Sequence, residues 1–482
     1  MLADRLALAG YPTIRFSYPG TGDSRDPQEA NWWPAWIASV HSAIDTALAL
    51  PGVRRVVLFG VRLGAALAAL AASERPEVVG IVLLEPVVRG SSFVMQLRVE
   101  ERVSARGVLF DHDSVRVHGL DLTTEALEGI SGLDLRSFQL NPGSRVLVLS
   151  DQTSAALQAC LQSWSSQGVP VVHERADEVC AFFRPTHLAD EPFPVPTSLL
   201  RWFRTNFPAS TRAFSIGGAI EPPALKAPGW TETPHRFGAA GHLFGILCEP
   251  SQPARGDRVV LIGNGGGDPH EGFARFAVEF ARILARHGVA SLRMDFAGLG
   301  DSVNAMDDID GLTHPFTVDR RPDFAAAVDF VWARGFRRIA LQGLCSGAYH
   351  ALQAAVADRR VSVLLCVNLP WFSLRYERAG PTSFAQHACD ELAARSVRCL
   401  LLFNEDDAGL KPLEQHFGPS GRDLAALPGF DVVIRPDLDH DLTRPEMRRL
   451  AADQMMLFLS QEPLAAGIAS LRVRHLLKEG AT

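Results

Sequence analysis

The seven cysteines are odd in number and form no Cys-x-x-Cys pair. Cys160, Cys180, Cys248, Cys345, Cys366, Cys389 and Cys399 are scattered, most of them in apolar runs where a cysteine behaves as a small hydrophobe. This argues against a disulfide framework and against a structural zinc site. No apolar run reaches the roughly 18 residues that a membrane span needs. Met1 to Arg5 lead into an amphipathic segment, not a secretory leader, so the expected compartment is the cytoplasm. A basic excess is also missing: 47 Lys and Arg against 54 Asp and Glu give a net charge of -7, with no electrostatic footing for nucleic acid. The glycine run Gly263 to Gly267 lacks the Lys-Ser/Thr ending of a nucleotide loop. No His, Asp and Glu cluster stands at metal-ligand spacing, so neither cofactor nor metal is expected.

What remains is a chain of 482 residues, 47% hydrophobic and 21% charged. That is the composition of a globular protein and more length than one core usually serves, so two domains are expected. A repeat supports this. The segment Gly10 to Phe16 followed by Gly20-Thr21-Gly22-Asp23-Ser24 matches Gly288 to Met294 followed by Gly298-Leu299-Gly300-Asp301-Ser302. Each reads as the end of a helix, a strand, and a glycine-rich turn. Arg54 to Ala65 then matches Arg337 to Ala348, each a short apolar strand running into a tight turn and an Ala-rich helix.

In the second half, apolar runs predict strands near 258–263, 289–295, 337–343, 361–368, 397–404 and 430–436, buried on both faces. Helical patterns such as Phe273 to His287 and Asp323 to Arg334 fill the gaps. The alternation predicts an α/β protein with a mostly parallel sheet flanked by helices. The expected organisation is a domain at 1–205, a proline-rich linker at 206–234, a second domain at 235–462 opening on a hairpin, and a tail at 463–482.

The chemistry is expected at Gly343-Leu344-Cys345-Ser346-Gly347, a Gly-x-nucleophile-x-Gly turn between strand and helix. Small neighbours let the turn close, and the backbone N–H of Ser346 then faces a developing oxyanion. A buried, inert thiol is the competing reading of Cys345. Ser346, one position off the elbow, is the weaker candidate nucleophile. Gly265 or Gly266, in the loop after an early strand, is the expected second oxyanion donor.

These residues resemble the α/β-hydrolase superfamily, most closely serine-aminopeptidase-like bacterial hydrolases of a tandem type and relatives associated with exosortase systems. Gly343 to His350 is similar to the elbow of the tandem type, and Leu292 to Asp295 with Gly298 to Ser302 resembles the turn that precedes it. The cysteine departs from the commoner serine and is similar in this to dienelactone hydrolases. The resemblance implies two tandem units and a triad in the order nucleophile, acid, histidine. It points to Asp407, with Asp406 close behind, after the strand Arg398 to Phe403. It points to His440 after the strand Asp431 to Pro436 and before a final helix. The implied activity is cleavage of an ester, thioester or lactone through a thioester acyl-enzyme, with acyl transfer by the same triad and a non-catalytic scaffold as alternatives. The implied partner is a small acyl substrate, under a cap formed by 369–395.

The first unit is expected to be degenerate. Arg62 holds the nucleophile position, and a guanidinium has no lone pair with which to attack. Asp151 and His187 match the acid and histidine positions loosely. The opening strands have no place before Met1, so an N-terminal truncation or a misassigned start is expected. An uncovered edge then calls for packing against the second unit or another copy of the chain. The segment 87–143 reads as a cap insertion, and Trp32, Trp33 and Trp36 as core. Among other histidines, His270 is a candidate substrate contact and His350 a packing residue, while His314, His387 and His416 suit a surface or lid.

Overall fold

A computed structural model of the chain describes residues 2–27, 32–104, 114–117, 119–176, 197–209, 224–251, 257–302, 318–372 and 383–461. His187, Cys180, His314, most of the apolar segment around 373–382 and the tail beyond 461 lie outside them. The chain divides into two compact units, residues 1–185 with 192–220, and 186–191 with 221–482.

The first unit holds a four-stranded parallel sheet in the order β1 (Val56–Val61), β2 (Val78–Leu84), β5 (Arg145–Ser150), β6 (Val171–Arg175). Strand β2 and most of β5 are apolar and buried on both faces, as expected where helices cover a parallel sheet. The expected cap, 87–143, contributes helices Gly90–Ser104 and Thr124–Ser131 and a hairpin of β3 (Val115–Val117) and β4 (Leu120–Leu122). Val94, Leu97, Val115, Leu127 and Ile130 from this segment join one continuous core with Trp36 and the sheet. Trp36 is buried and its indole N–H donates to the Pro19 carbonyl at 3.0 Å.

The strand expected at 11–16 does not form. Its counterpart in the second unit lies between two hydrogen-bonded neighbours, and no such neighbours exist for it among the described residues of the first unit. An apolar run without a neighbouring strand has no ladder to join, and here Ile14 and Phe16 are exposed.

The second unit carries a nine-stranded sheet in the order β15-β14-β13-β12-β10-β11-β9-β8-β7. In chain order these are β7 (Leu225–Ala227), β8 (Trp230–Phe237), β9 (Leu243–Pro250), β10 (Arg258–Ile262), β11 (Ala290–Asp295), β12 (Arg338–Leu344), β13 (Val361–Val367), β14 (Arg398–Asn404) and β15 (Phe430–Arg435). Strands β10 to β15 run parallel, and β7, β8 and β9 are antiparallel to their neighbours. Hydrophobic cores lie on both faces, one with Phe324, Tyr349, Phe372 and Phe417, the other with Phe276, Phe280, Leu442 and Met455. The opening strands begin earlier than the composition implies: β7 and β8 fall largely inside the segment expected as linker. Pro234 is compatible with β8 because β7 pairs only with Trp230 to Glu232, so Pro234 sits where β8 has become an edge, the place a sheet tolerates proline.

The repeat extends to backbone detail. Strands β1 and β12 both carry a register shift at their start, between Val56 and Val57 and between Ile339 and Ala340. Each ends in a residue of positive φ, Arg62 at 52° and Cys345 at 54°. Arg62 N–H donates to Leu84 at 2.9 Å, and Cys345 N–H donates to Val367 at 3.0 Å. The next strand in each unit also ends in a positive φ, at Glu85 (45°) and Asn368 (49°).

Candidate active site

The elbow is built by glycine. A Cβ at Gly343 would stand 2.1 Å from the Gly347 carbonyl carbon, and one at Gly347 would stand 2.5 Å from the Asn264 carbonyl oxygen. Without side chains at both positions, β12 and the helix Ser346–Ala357 meet at a bend that other residues would force open. Cys345 sits at the bend with φ 54° and ψ −122°, and its carbonyl accepts from Ala348 N–H at 3.0 Å. Positive φ in a residue with a Cβ costs on the order of 1–3 kcal/mol and persists only where the surroundings dictate it. Cys345 is partly exposed, whereas Cys160, Cys248, Cys366, Cys389 and Cys399 are buried. Burial pushes the thiols of Cys160, Cys248 and Cys389 up to about 12 and raises those of Cys366 and Cys399 well above the usual thiol value.

Asp407 and His440 come from the loops after β14 and β15. The Asp407 side chain is 1% exposed, and its Oδ2 lies 2.6 Å from His440 Nδ1. The other oxygen, Oδ1, accepts from Gly409 N–H at 2.8 Å, which fixes the carboxylate. Asp406 is exposed and does not share this contact. The imidazole is 40% exposed. Its pKa is pushed up to about 11, first by the Asp407 hydrogen bond, then by hydrogen bonding and charge from Cys345, against the opposing effect of burial. Cys345 thus lies within hydrogen-bonding reach of the imidazole, whose Nδ1 is held by Asp407.

The loop after β10 is tied at both ends. At one end, Gly266 N–H donates to Ser346 Oγ at 2.7 Å, and Ser346 is 1% exposed. This commits Gly266 to holding the loop; a Cβ at the other candidate, Gly265, would stand 2.9 Å from the Leu344 carbonyl oxygen at the elbow. The Gly266 bond also gives the Ser346 hydroxyl a buried acceptor role that a nucleophile does not have. At the other end, Asp295 is fully buried and binds His270 N–H at 2.7 Å, His270 Nδ1 at 2.8 Å and Asn264 Nδ2 at 3.2 Å. His270 is thus a buried anchor of the loop, not the substrate contact its position in the glycine run implies. His350 is buried with its ring edge-on to Phe296, in keeping with packing. His270, Asp295 and Asp301 bring one ligand atom each within 4.8 Å of one another, but His270 Nδ1 and both Asp295 oxygens already hold hydrogen bonds. They carry no metal assignment.

Sequence reasoning missed Asp295, Asn368 and the buried set Glu232, Arg282 and Arg293. In that set Glu232 binds Arg282 at 2.7 Å and Arg293 at 2.8 Å. The available signal was polarity in a strand that otherwise reads as core, as in Leu292-Arg293-Met294-Asp295.

No helix among the described residues is long and apolar enough to cross a membrane. No protein-family model matches the chain, and no curated protein matches it. Solved structures do. Est1E from Butyrivibrio proteoclasticus is 15% identical, with 47% of this chain and 99% of that chain covered at a TM-score of 0.33. A cold-adapted esterase from an Arctic intertidal metagenomic library is 19% identical, with 48% and 95% covered at 0.33. An alpha-beta serine hydrolase homologue from Coxiella burnetii is 17% identical, with 50% and 100% covered at 0.32.

Proposed function

We propose that the second unit is an α/β-hydrolase that cleaves ester-type bonds through Cys345, His440 and Asp407. The observation that carries this reading is the 2.6 Å contact between His440 Nδ1 and buried Asp407, on loops at the same end of the parallel strands as the strained turn holding Cys345. A strand order in which the antiparallel group β7 to β9 precedes a crossed parallel set supports it, as does the raised basicity of His440.

In this mechanism the Cys345 proton already resides on His440 in the resting site, and Sγ attacks the carbonyl carbon as the thiolate. An imidazole whose protonated form is held by Asp407 takes that proton readily. The N–H groups of Ser346 and Gly265 receive the oxyanion. As the tetrahedral intermediate collapses, the leaving alkoxide or thiolate takes the proton from His440 and a thioester remains on Cys345. Water then gives a proton to His440 and adds to the thioester carbonyl. Collapse expels the Cys345 thiolate beside protonated His440 and frees the acid. The first unit takes no part in bond cleavage, because Arg62 offers no nucleophile.

The test is a panel of chromogenic esters and thioesters against wild type and Cys345→Ala. Turnover that disappears with the sulfur supports the reading. Equal turnover by both proteins, or none by wild type across the panel, overturns it.

A further inference from the structure

We infer that Asn368 is a positioning residue that holds the acid and histidine loops of the site in register. The residue ends β13, the strand between the one bearing Cys345 and the one leading to Asp407. It is fully buried and sits at φ 49°, a conformation asparagine adopts more readily than most residues.

Its side chain reaches the two chain segments that carry Asp407 and His440, and the residue before it holds the segment that carries Cys345. The Cys345 N–H is bound by the carbonyl of Val367, the residue immediately before Asn368. The Asn368 Oδ1 accepts from Asn404 N–H at 2.9 Å, at the start of the turn that carries Asp407. The Nδ2 donates to the carbonyl of His440 at 2.8 Å and to that of Asp439 at 3.2 Å. An amide is the side chain that can do this, because it offers an acceptor on one side and two N–H donors on the other.

The first unit provides an internal comparison. Glu85 occupies the equivalent place, and its carboxylate accepts the N–H of Asp151 at the loop after β5. That is the counterpart of the Asn404 contact. A carboxylate has no proton to give to a carbonyl. The amide is found where a catalytic imidazole has to be held, and the carboxylate is found in the unit whose elbow bears Arg62.

Asn368 touches neither substrate nor the reacting atoms. It sets where the His440 main chain lies, and hence whether the ring can bridge Asp407 and Cys345 at once. The titratable groups facing that ring are Asp407 and Cys345. The neighbouring Asp439 carboxylate is turned onto the Thr443 N–H and hydroxyl, and Asp437 is paired with Arg435.

This role presupposes the Cys345 chemistry proposed above, and the experiment separates the two. The full chain is compared with Asn368→Gly and Asn368→Asp, using p-nitrophenyl acetate as the probe and thermal melts to establish folding. Glycine keeps the positive φ and removes the side chain. Aspartate keeps the acceptor for Asn404 and replaces the donors with an oxygen set against two carbonyls. Both variants are expected to lose on the order of 10- to 100-fold in kcat with little change in KM, as for a displaced catalytic group. The alkaline limb of the pH–rate profile should move to lower pH, because His440 loses its aligned partners. A purely structural asparagine would lower Tm and leave the limb in place. Folded variants with wild-type kcat and an unmoved limb overturn the inference, as does Asn368→Asp behaving like wild type when Asn368→Gly does not fold. If Cys345→Ala is as active as wild type, the triad reading fails first.

Discussion

Ser346→Ala separates the two adjacent candidate nucleophiles by magnitude. The Ser346 hydroxyl is 1% exposed and accepts the Gly266 N–H at 2.7 Å. Its loss removes one hydrogen bond, worth about 0.5–1.5 kcal/mol net. If the whole of that appeared as loosened oxyanion geometry, kcat would fall about 2- to 13-fold, since 1.36 kcal/mol is tenfold. Removing a serine nucleophile costs on the order of 10⁶-fold in kcat in the protease where the triad was dismantled. The two roles thus differ by several orders of magnitude, well outside assay error. The assay is steady-state hydrolysis of p-nitrophenyl acetate by wild type, Ser346→Ala and Cys345→Ala, each with a thermal melt. The expected result is a small kcat loss in the serine variant and no turnover in the cysteine variant. Abolished turnover in folded Ser346→Ala, with activity surviving in Cys345→Ala, would refute the assignment of both residues.

Iodoacetamide should modify Cys345 before the other five described cysteines, since those five are buried with raised pKa values; peptide mapping with uniform labelling would contradict this. The raised pKa of His440 fixes a pH window for both stability and rate. The proton held in the folded state stabilises fully below about pH 6.5, and this contribution is lost as pH rises through about 11. The stability gap between wild type and His440→Gln should therefore narrow across that interval in urea melts. The kcat/KM profile should hold well above pH 7, because the proton given to the leaving group stays on His440. Glu232→Gln should cost about 3–5 kcal/mol in urea unfolding, because Arg282 and Arg293 are buried against that carboxylate; a loss under 1 kcal/mol would contradict it. Gly343→Ala should prevent folding of the second unit, because the new Cβ meets backbone at 2.1 Å; a wild-type melt would count against the elbow geometry described.

The parallel strands were legible because runs such as Arg398-Cys399-Leu400-Leu401-Leu402-Phe403 are too apolar and too short for anything but a doubly covered strand. All six strands expected in the second half formed within a residue or two of their expected limits. The run Tyr11 to Phe16 misled because its pattern is that of a strand, while strand formation depends on a neighbour that no local pattern reports. Cys345, Asp407 and His440 were legible as an ordered set, each following a strand. The contact between the last two depends on loop geometry that spacing does not encode. The roles of Asn368 and Asp295 were not legible because each binds backbone atoms of residues 25 to 72 positions away, and Asn368 belongs to no local motif.

The first unit keeps its sharp turn although it carries no sulfur. Arg62 adopts φ 52° and ψ −117°, within a few degrees of Cys345, and Gly60 and Gly64 meet as closely as their counterparts do. A distortion shared by a cysteine and an arginine is a requirement of joining that strand to that helix. Enzymes of this design inherit an exposed, outward-aimed side chain from the architecture itself, and new reactivity there needs only a change of residue and a histidine held within reach.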